Sequence, residues 1–306
     1  MKLAKDYTEK NTDMQRKTII KTIKKELELW LDSITDPVLR DDVRKSLLVS
    51  GGCIASLYLQ EKVNDYDIYI QDIEVAKRLA EYYVGNDTRM IVLSGSDKEE
   101  LVKSVEGKDD SAYVIAVKNL KEDQVKIFFA EKNGGYAPEY DEDTAPKYRP
   151  VFYSPNAISL SDDIQIVLRF TGDAAAIHKN FDFVHATSYF TYDEGLVTTV
   201  EVLESILSKT LKYRGSLYPV TSIIRIKKFI KRGWNISAGE MLKIMFQISE
   251  LNLRDPYVLE EQLIGVDIAY FSKLIEILSS TKKETIDSHA LNTIIDKVFN
   301  ENDSDE

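Results

Sequence analysis

The segment from Leu47 to Ile70 constrains this chain most, because its hydrophobic period passes from strand to helix and back to strand. Leu47-Leu48-Val49 is a short apolar run that stops at Ser50-Gly51-Gly52. Ile54 to Leu59 then returns to helical spacing, and Tyr66 to Ile70 alternates as a strand does. Two glycines between a strand and a helix start let a phosphate approach backbone N–H groups and the positive end of the helix dipole. In a strand, Asp65 and Asp67 point to one face and Tyr66, Ile68 and Ile70 to the other. Neighbouring carboxylates repel unless a cation neutralises them, so this i, i+2 pair is a natural clamp for Mg²⁺ or Mn²⁺. A phosphate cradle beside a two-carboxylate metal site is what phosphoryl transfer requires.

Composition narrows the chemistry further. The chain has 306 residues with 51 Asp or Glu against 40 Lys or Arg, a net charge of −11. That balance excludes an indiscriminate coat for nucleic acid, which needs a broad basic surface. One cysteine, Cys53, and three histidines exclude a disulfide framework, a Cys- or His-rich zinc site and an iron–sulfur cluster. Any metal is expected to be hard and held by carboxylates. No signal core and no apolar run of membrane-spanning length are visible, so the expectation is a soluble, cytoplasmic protein without a membrane partner.

Helices are expected at 14–32, with Ile19, Ile20, Ile23, Leu27, Leu29 and Trp30 on the apolar side, then at 38–46 and 74–83. Further strands are expected at 90–93, 112–117, 125–129, 151–153, 158–160 and 181–185, with helices at 163–170 and 174–178. From about Leu196 helical patterns dominate, at 197–210, 221–232, 239–251, 257–263, 267–279 and 289–299. Ser237 to Glu240 has the form of a capping box. These patterns predict a mixed α/β domain over 1–194 and an all-helical domain over 195–306, with a frayed acidic tail.

The Ser50–Ile70 segment resembles the signature of the DNA-polymerase-β-like nucleotidyltransferase superfamily: a Gly pair, about a dozen residues, then an Asp flanked by apolar residues with a second acid two positions on. Its spacing is similar to that of class II CCA-adding enzymes and bacterial poly(A) polymerases. The resemblance implies an α+β fold, a polymerase-β-like palm whose mixed sheet is flanked by helices. It implies that Asp65 and Asp67 bind two catalytic Mg²⁺ or Mn²⁺ ions about 3.5–4 Å apart. It also implies that Ser50, Gly51 and Gly52 contact an incoming NTP. The chain departs from the CCA pattern where Ala55-Ser56 replaces the Arg-Asp pair after the glycines and where Val151 to Ser154 lacks the arginines and acid of a related motif. No nucleotide-selecting EDxxR helix is found. The stretches 163–190 and 211–234 also resemble nucleotidyltransferase-like proteins of large tailed bacteriophages.

The resemblance also implies a third acid, which completes the site in many superfamily members on a strand between apolar residues, and Asp182 in Phe181-Asp-Phe-Val-His185 fits; Val125–Phe129, the rival strand, offers only Lys126. Asp182 also reads as a surface or capping aspartate. His185 and His178 read as substrate contacts or as satisfied structural histidines, Arg169 as a buried partner for a carboxylate, and Cys53 as a small packed residue.

Inside this acidic chain, residues 208–232 hold eight Lys or Arg and no Asp or Glu. A solvated helix face with aromatic anchors is the plain reading. The sharper one puts Lys212, Arg214, Arg225 and Lys228 against a triphosphate or an RNA backbone, with Tyr213, Tyr218 and Trp234 interleaved. The expected function is therefore template-independent NMP transfer from NTP to an acceptor hydroxyl, with RNA, such as a tRNA 3′ end, tested first. The rivals are transfer to a protein or small-molecule hydroxyl, and a catalytically silent nucleotide- or RNA-binding module. The oligomeric state is not legible.

Overall fold

Ile19, Ile23, Leu27, Trp30 and Leu31 fall on one stripe of the first helix, α1 (Lys2–Leu31), and all are buried. The computed structural model describes residues 2–109, 111–130, 135–141, 145–255, 258–259, 262 and 287–296. Leu29, expected on the apolar side, is 48% exposed. Trp30 Nε1 donates to the Tyr83 hydroxyl at 2.9 Å, and Gln15 donates to the Tyr58 carbonyl at 2.6 Å. Helix α2 (Pro37–Ser46) starts where its sequence demands: Asp36 accepts from Val38 N–H and Leu39 N–H, and Pro37 needs no donor in the first turn.

Strand β1 (Leu47–Ser50) leads to α3 (Gly52–Leu59), β2 (Tyr66–Ile70) and α4 (Ile73–Val84), which Asp72 caps. Next come β3 (Met90–Ser94), α5 (Lys98–Val105), α6 (Ala112–Lys118) and β4 (Val125–Phe129). Strands β3 and β4 form their own antiparallel pair, over a small core of Leu93, Val105, Val114, Val117 and Leu120. After β5 (Pro150–Ser154), β6 (Ala157–Leu160), β7 (Ile164–Val167) and α7 (Ala174–His178), the chain adds β8 (Tyr189–Thr191) and β9 (Gly195–Val197).

Seven strands make one mixed sheet in the order β5-β6-β7-β2-β1-β8-β9, antiparallel except between β2 and β7. Its register builds two contrasting rows. Val49, Ile68, Ile166 and Ile158 are cross-strand neighbours and all are fully buried. One residue away on each strand, Ser50, Asp67, Gln165 and Ser159 form a polar row on the opposite face. The pleat thus separates an apolar core face from a polar face.

The remaining elements are α8 (Val200–Leu207), β10 (Thr210–Leu211), α9 (Pro219–Lys231), β11 (Asn235–Ile236), α10 (Ala238–Ser249) and a helix at Ser288–Ile295. The expected helices at 267–279 and most of 257–263 lie outside the described residues. By contact density the chain forms two units, Met1–Lys179 with Ala186–Leu203, and Asn180–His185 with Glu204–Glu306.

Several expectations need correction. Residues 112–117 are helix α6, because the Ser111 hydroxyl caps Val114 N–H and Val114 and Val117 bury one helical face. Residues 164–167, expected to be helical, are strand β7, whose burial alternates. Residues 181–185 are not a strand; only Phe183 makes an isolated bridge, to Tyr213, and Val184–Ala186 is a single 3₁₀ turn. The C-terminal part is not purely helical either, since β10 and β11 pair in parallel.

Candidate active site

The turn after β1 is built around Gly51, whose φ of +94° suits glycine alone. A Cβ at this position would lie 2.8 Å from Asp67 Oδ2, so the backbone presses against that carboxylate as only a hydrogen allows. Below it, Ser50 is fully buried. Its hydroxyl lies 2.8 Å from His178 Nε2, 2.8 Å from the Ser188 carbonyl and 3.2 Å from the Ala186 carbonyl. The hydroxyl has a single proton to share among these three neighbours and lone pairs with which to accept. The Gly51 N–H also goes to the Ala186 carbonyl, at 3.1 Å. Ser50 and Gly51, expected to contact the NTP, thus have partners within the protein, and Gly52 opens α3 just beyond them.

Asp65 immediately precedes β2 and is exposed, while Asp67 lies within the strand and is half-buried. Both carboxylates, after burial itself, push the Cys53 thiol above its ordinary range. Cys53 donates to the Ser50 carbonyl and is a packed residue of the α3 turn. An open pocket of about 260 Å³ adjoins Asp65, lined also by Asn64, Ser159, Asp162, Asp163 and Gln165. Among the described residues no group of three or more His, Cys, Asp and Glu could hold a metal ion. Asp65 and Asp67 nevertheless suit a hard divalent cation, because the donors are carboxylate oxygens and Gly51 keeps bulk away from Asp67.

Asp182, the expected third acid, belongs to the second unit. It is 5% exposed and pairs with the Arg225 guanidinium at 2.8 Å, while its carbonyl accepts from Arg214 N–H. Arg225 therefore has a carboxylate partner, Lys212 lies 3.9 Å from Glu204, and Arg214 and Lys228 are exposed. Two of the aromatic residues beside them are core residues, while Tyr218 is half-buried. Tyr213 is buried and donates to Gln247, and Trp234 is buried against Phe229 and His185, with ring centroids 5.1 and 4.6 Å away. His185 is 1% exposed, and burial lowers its pKa to about 4, so its imidazole is neutral. Lys126 of β4 sits opposite Leu93 in the two-stranded sheet, and Arg169 lies over the Phe170 ring. Gln165 is hidden from a sequence reading that makes 163–170 helical; the alternation Ile-Gln-Ile-Val is the signal that marks it as a strand residue.

A sequence-family profile described as "Gabija anti-defense 2 family protein" matches residues 21–209. The chain belongs to that family. A Gabija anti-defense 2 protein of Bacillus phage SPbetaL7 is 21% identical over 235 residues, which cover 76% of this chain and 45% of that protein. The chain thus matches less than half the length of its phage relative. Among solved structures, the Thermotoga maritima CCA-adding enzyme complexed with tRNA is 13% identical, covering 89% of this chain and 69% of that one at a TM-score of 0.37. A CCA-adding enzyme with CTP (15%, 82% and 49%, TM-score 0.36) and a tRNA nucleotidyltransferase with a primer tRNA and an ATP analogue (12%, 83% and 59%, 0.35) are similar to the same extent. Among the described residues of this Gabija anti-defense 2 family member, no helix is long and apolar enough to cross a membrane.

Proposed function

We propose that this chain is a divalent-metal-dependent nucleotidyltransferase that moves NMP from an NTP to an acceptor hydroxyl and acts in this way against the Gabija defence. The observation that carries the reading is the Gly51 turn held against the Asp67 carboxylate, with Asp65 two residues before it. Asp65 and Asp67 would hold the cation, and the first turn of α3 from Gly52 onward would receive a phosphate oxygen. A divalent cation bound there would supply charge neutralisation at the triphosphate and would lower the pKa of the acceptor hydroxyl. The acceptor oxygen bonds to the α-phosphorus as the bond to pyrophosphate breaks, and the hydroxyl proton passes to water. Basic residues of 208–232, exposed at Arg214 and Lys228, support an RNA acceptor.

A second reading keeps the site and moves NMP to a protein hydroxyl, which membership in a family described as anti-defence supports equally well. The test incubates the purified chain with α-labelled NTPs and Mg²⁺, adding an RNA pool or a host protein extract. Label should enter one of the two, and Asp67→Ala should reduce it to background. Equal labelling by the variant overturns the site. NTP binding without pyrophosphate release would instead favour a catalytically silent module.

A further inference from the structure

Asp65 and Asp67 are two carboxylates, and a hard divalent cation takes about six oxygens. The sheet register names the next donor. Strand β7 runs parallel to β2, with Gln165 paired to Asp67. Paired residues on adjacent strands lie about 4.8 Å apart and share a face. Gln165 also lines the same 260 Å³ pocket as Asp65, so it meets one carboxylate through the pairing and the other through the open space. Its amide Nε2 donates to Ser159 Oγ at 3.3 Å, and Ser159 lies on β6, on the far side of β7 from β2. That bond engages the amide nitrogen on the β6 side and leaves the carbonyl oxygen as the atom with which Gln165 can serve a cation. On the other flank of Asp67, the Ser50 hydroxyl is buried and taken up by His178, Ala186 and Ser188.

We propose that Gln165 supplies the third protein oxygen to the cation held by Asp65 and Asp67. The proposal rests on the reading of those two residues as metal ligands. A neutral amide in this place gives the site a charge of two carboxylates, so cation affinity is set low by the ligand charge count. The cation then depends more on the triphosphate for its remaining oxygens.

The test is titration of the full chain with MnCl₂, following free Mn²⁺ by electron paramagnetic resonance and requiring no catalysis. Wild type should bind Mn²⁺ and Asp67→Asn should not. Gln165→Glu, which keeps the shape and adds a charge, should tighten binding about tenfold, and Gln165→Ala should weaken it by a similar factor. Thermal melts of the variants guard against a folding defect, and the near-isosteric Gln165→Glu keeps the test valid if the alanine variant is unstable. Mn²⁺ affinities of both Gln165 variants within twofold of wild type, with Asp67→Asn still deficient, overturn the role of Gln165 alone. Mn²⁺ binding that is absent from wild type, or unchanged in Asp67→Asn, overturns the two-carboxylate reading and the proposal with it.

Discussion

Gly51 meets two independent demands, a backbone angle that L side chains rarely adopt and a carboxylate where a Cβ would point. Gly51→Ala should therefore cost stability of about 1–3 kcal/mol for the strained backbone. It should cost more in chemistry, since a methyl group displaces the Asp67 carboxylate and misplacement by about 1 Å can lower a rate ~100-fold. Urea unfolding and NMP incorporation measure the two effects separately. A variant with full activity and reduced stability would show that Asp67 accommodates the methyl group without leaving its working position. Ser50 carries a related lesson. It is read from the sequence as a phosphate contact, yet it anchors the turn from beneath, because a hydroxyl among two carbonyls and an imidazole is already satisfied.

Among the elements, the β3–β4 pair depends on Gly95, which follows β3. Its N–H donates to the Gln124 carbonyl at 2.8 Å, and an added Cβ would collide with the Lys121 and Glu122 carbonyl oxygens. Gly95→Ala should destabilise the chain by about 2 kcal/mol, the range of overpacking against backbone. The urea midpoint measures this, and an unchanged midpoint would mean that the 121–122 turn yields. The strand–glycine–helix–strand order of 47–70 was legible, because its period changes are sharp and glycine marks the turn. Residues 112–117 were not, since Ala-Tyr-Val-Ile-Ala-Val carries β-branched residues on a helix that local packing and the Ser111 cap decide. Phe181 to His185 alternates like a strand but buries its aromatic rings in a side-chain cluster, which no periodicity reports. The Asp65–Asp67 pair was visible in the sequence, whereas Gln165 enters only through pairing between strands distant in the chain.

For the whole molecule, the informative group is His185, buried among Phe183, Phe229 and Trp234, with Asp182, Arg225 and Arg232 as the nearby charges. Its folded-state pKa of about 4 lies below the ordinary 6.5, so the unfolded chain takes up the proton first as pH falls. The stability present above pH 6.5 should therefore decline between 6.5 and 4, by on the order of 3 kcal/mol if the second unit unfolds alone. The chain has two tryptophans, Trp30 in the first unit and Trp234 in the second. In a Trp30→Phe background, Trp234 fluorescence during urea unfolding reports the second unit. Its midpoint should fall with acid, and His185→Leu should flatten that dependence; an equal slope in both proteins would assign the effect to other groups.

The six residues Asn180–His185 leave the first unit and return to it at Ala186, within a chain that otherwise enters the second unit only after Leu203. Asp182 and His185 in this hexapeptide find Arg225 and Trp234 far along the sequence. Neither unit is therefore a cassette. A recombination break near residue 203 would leave a buried aspartate without its arginine and a histidine without its tryptophan.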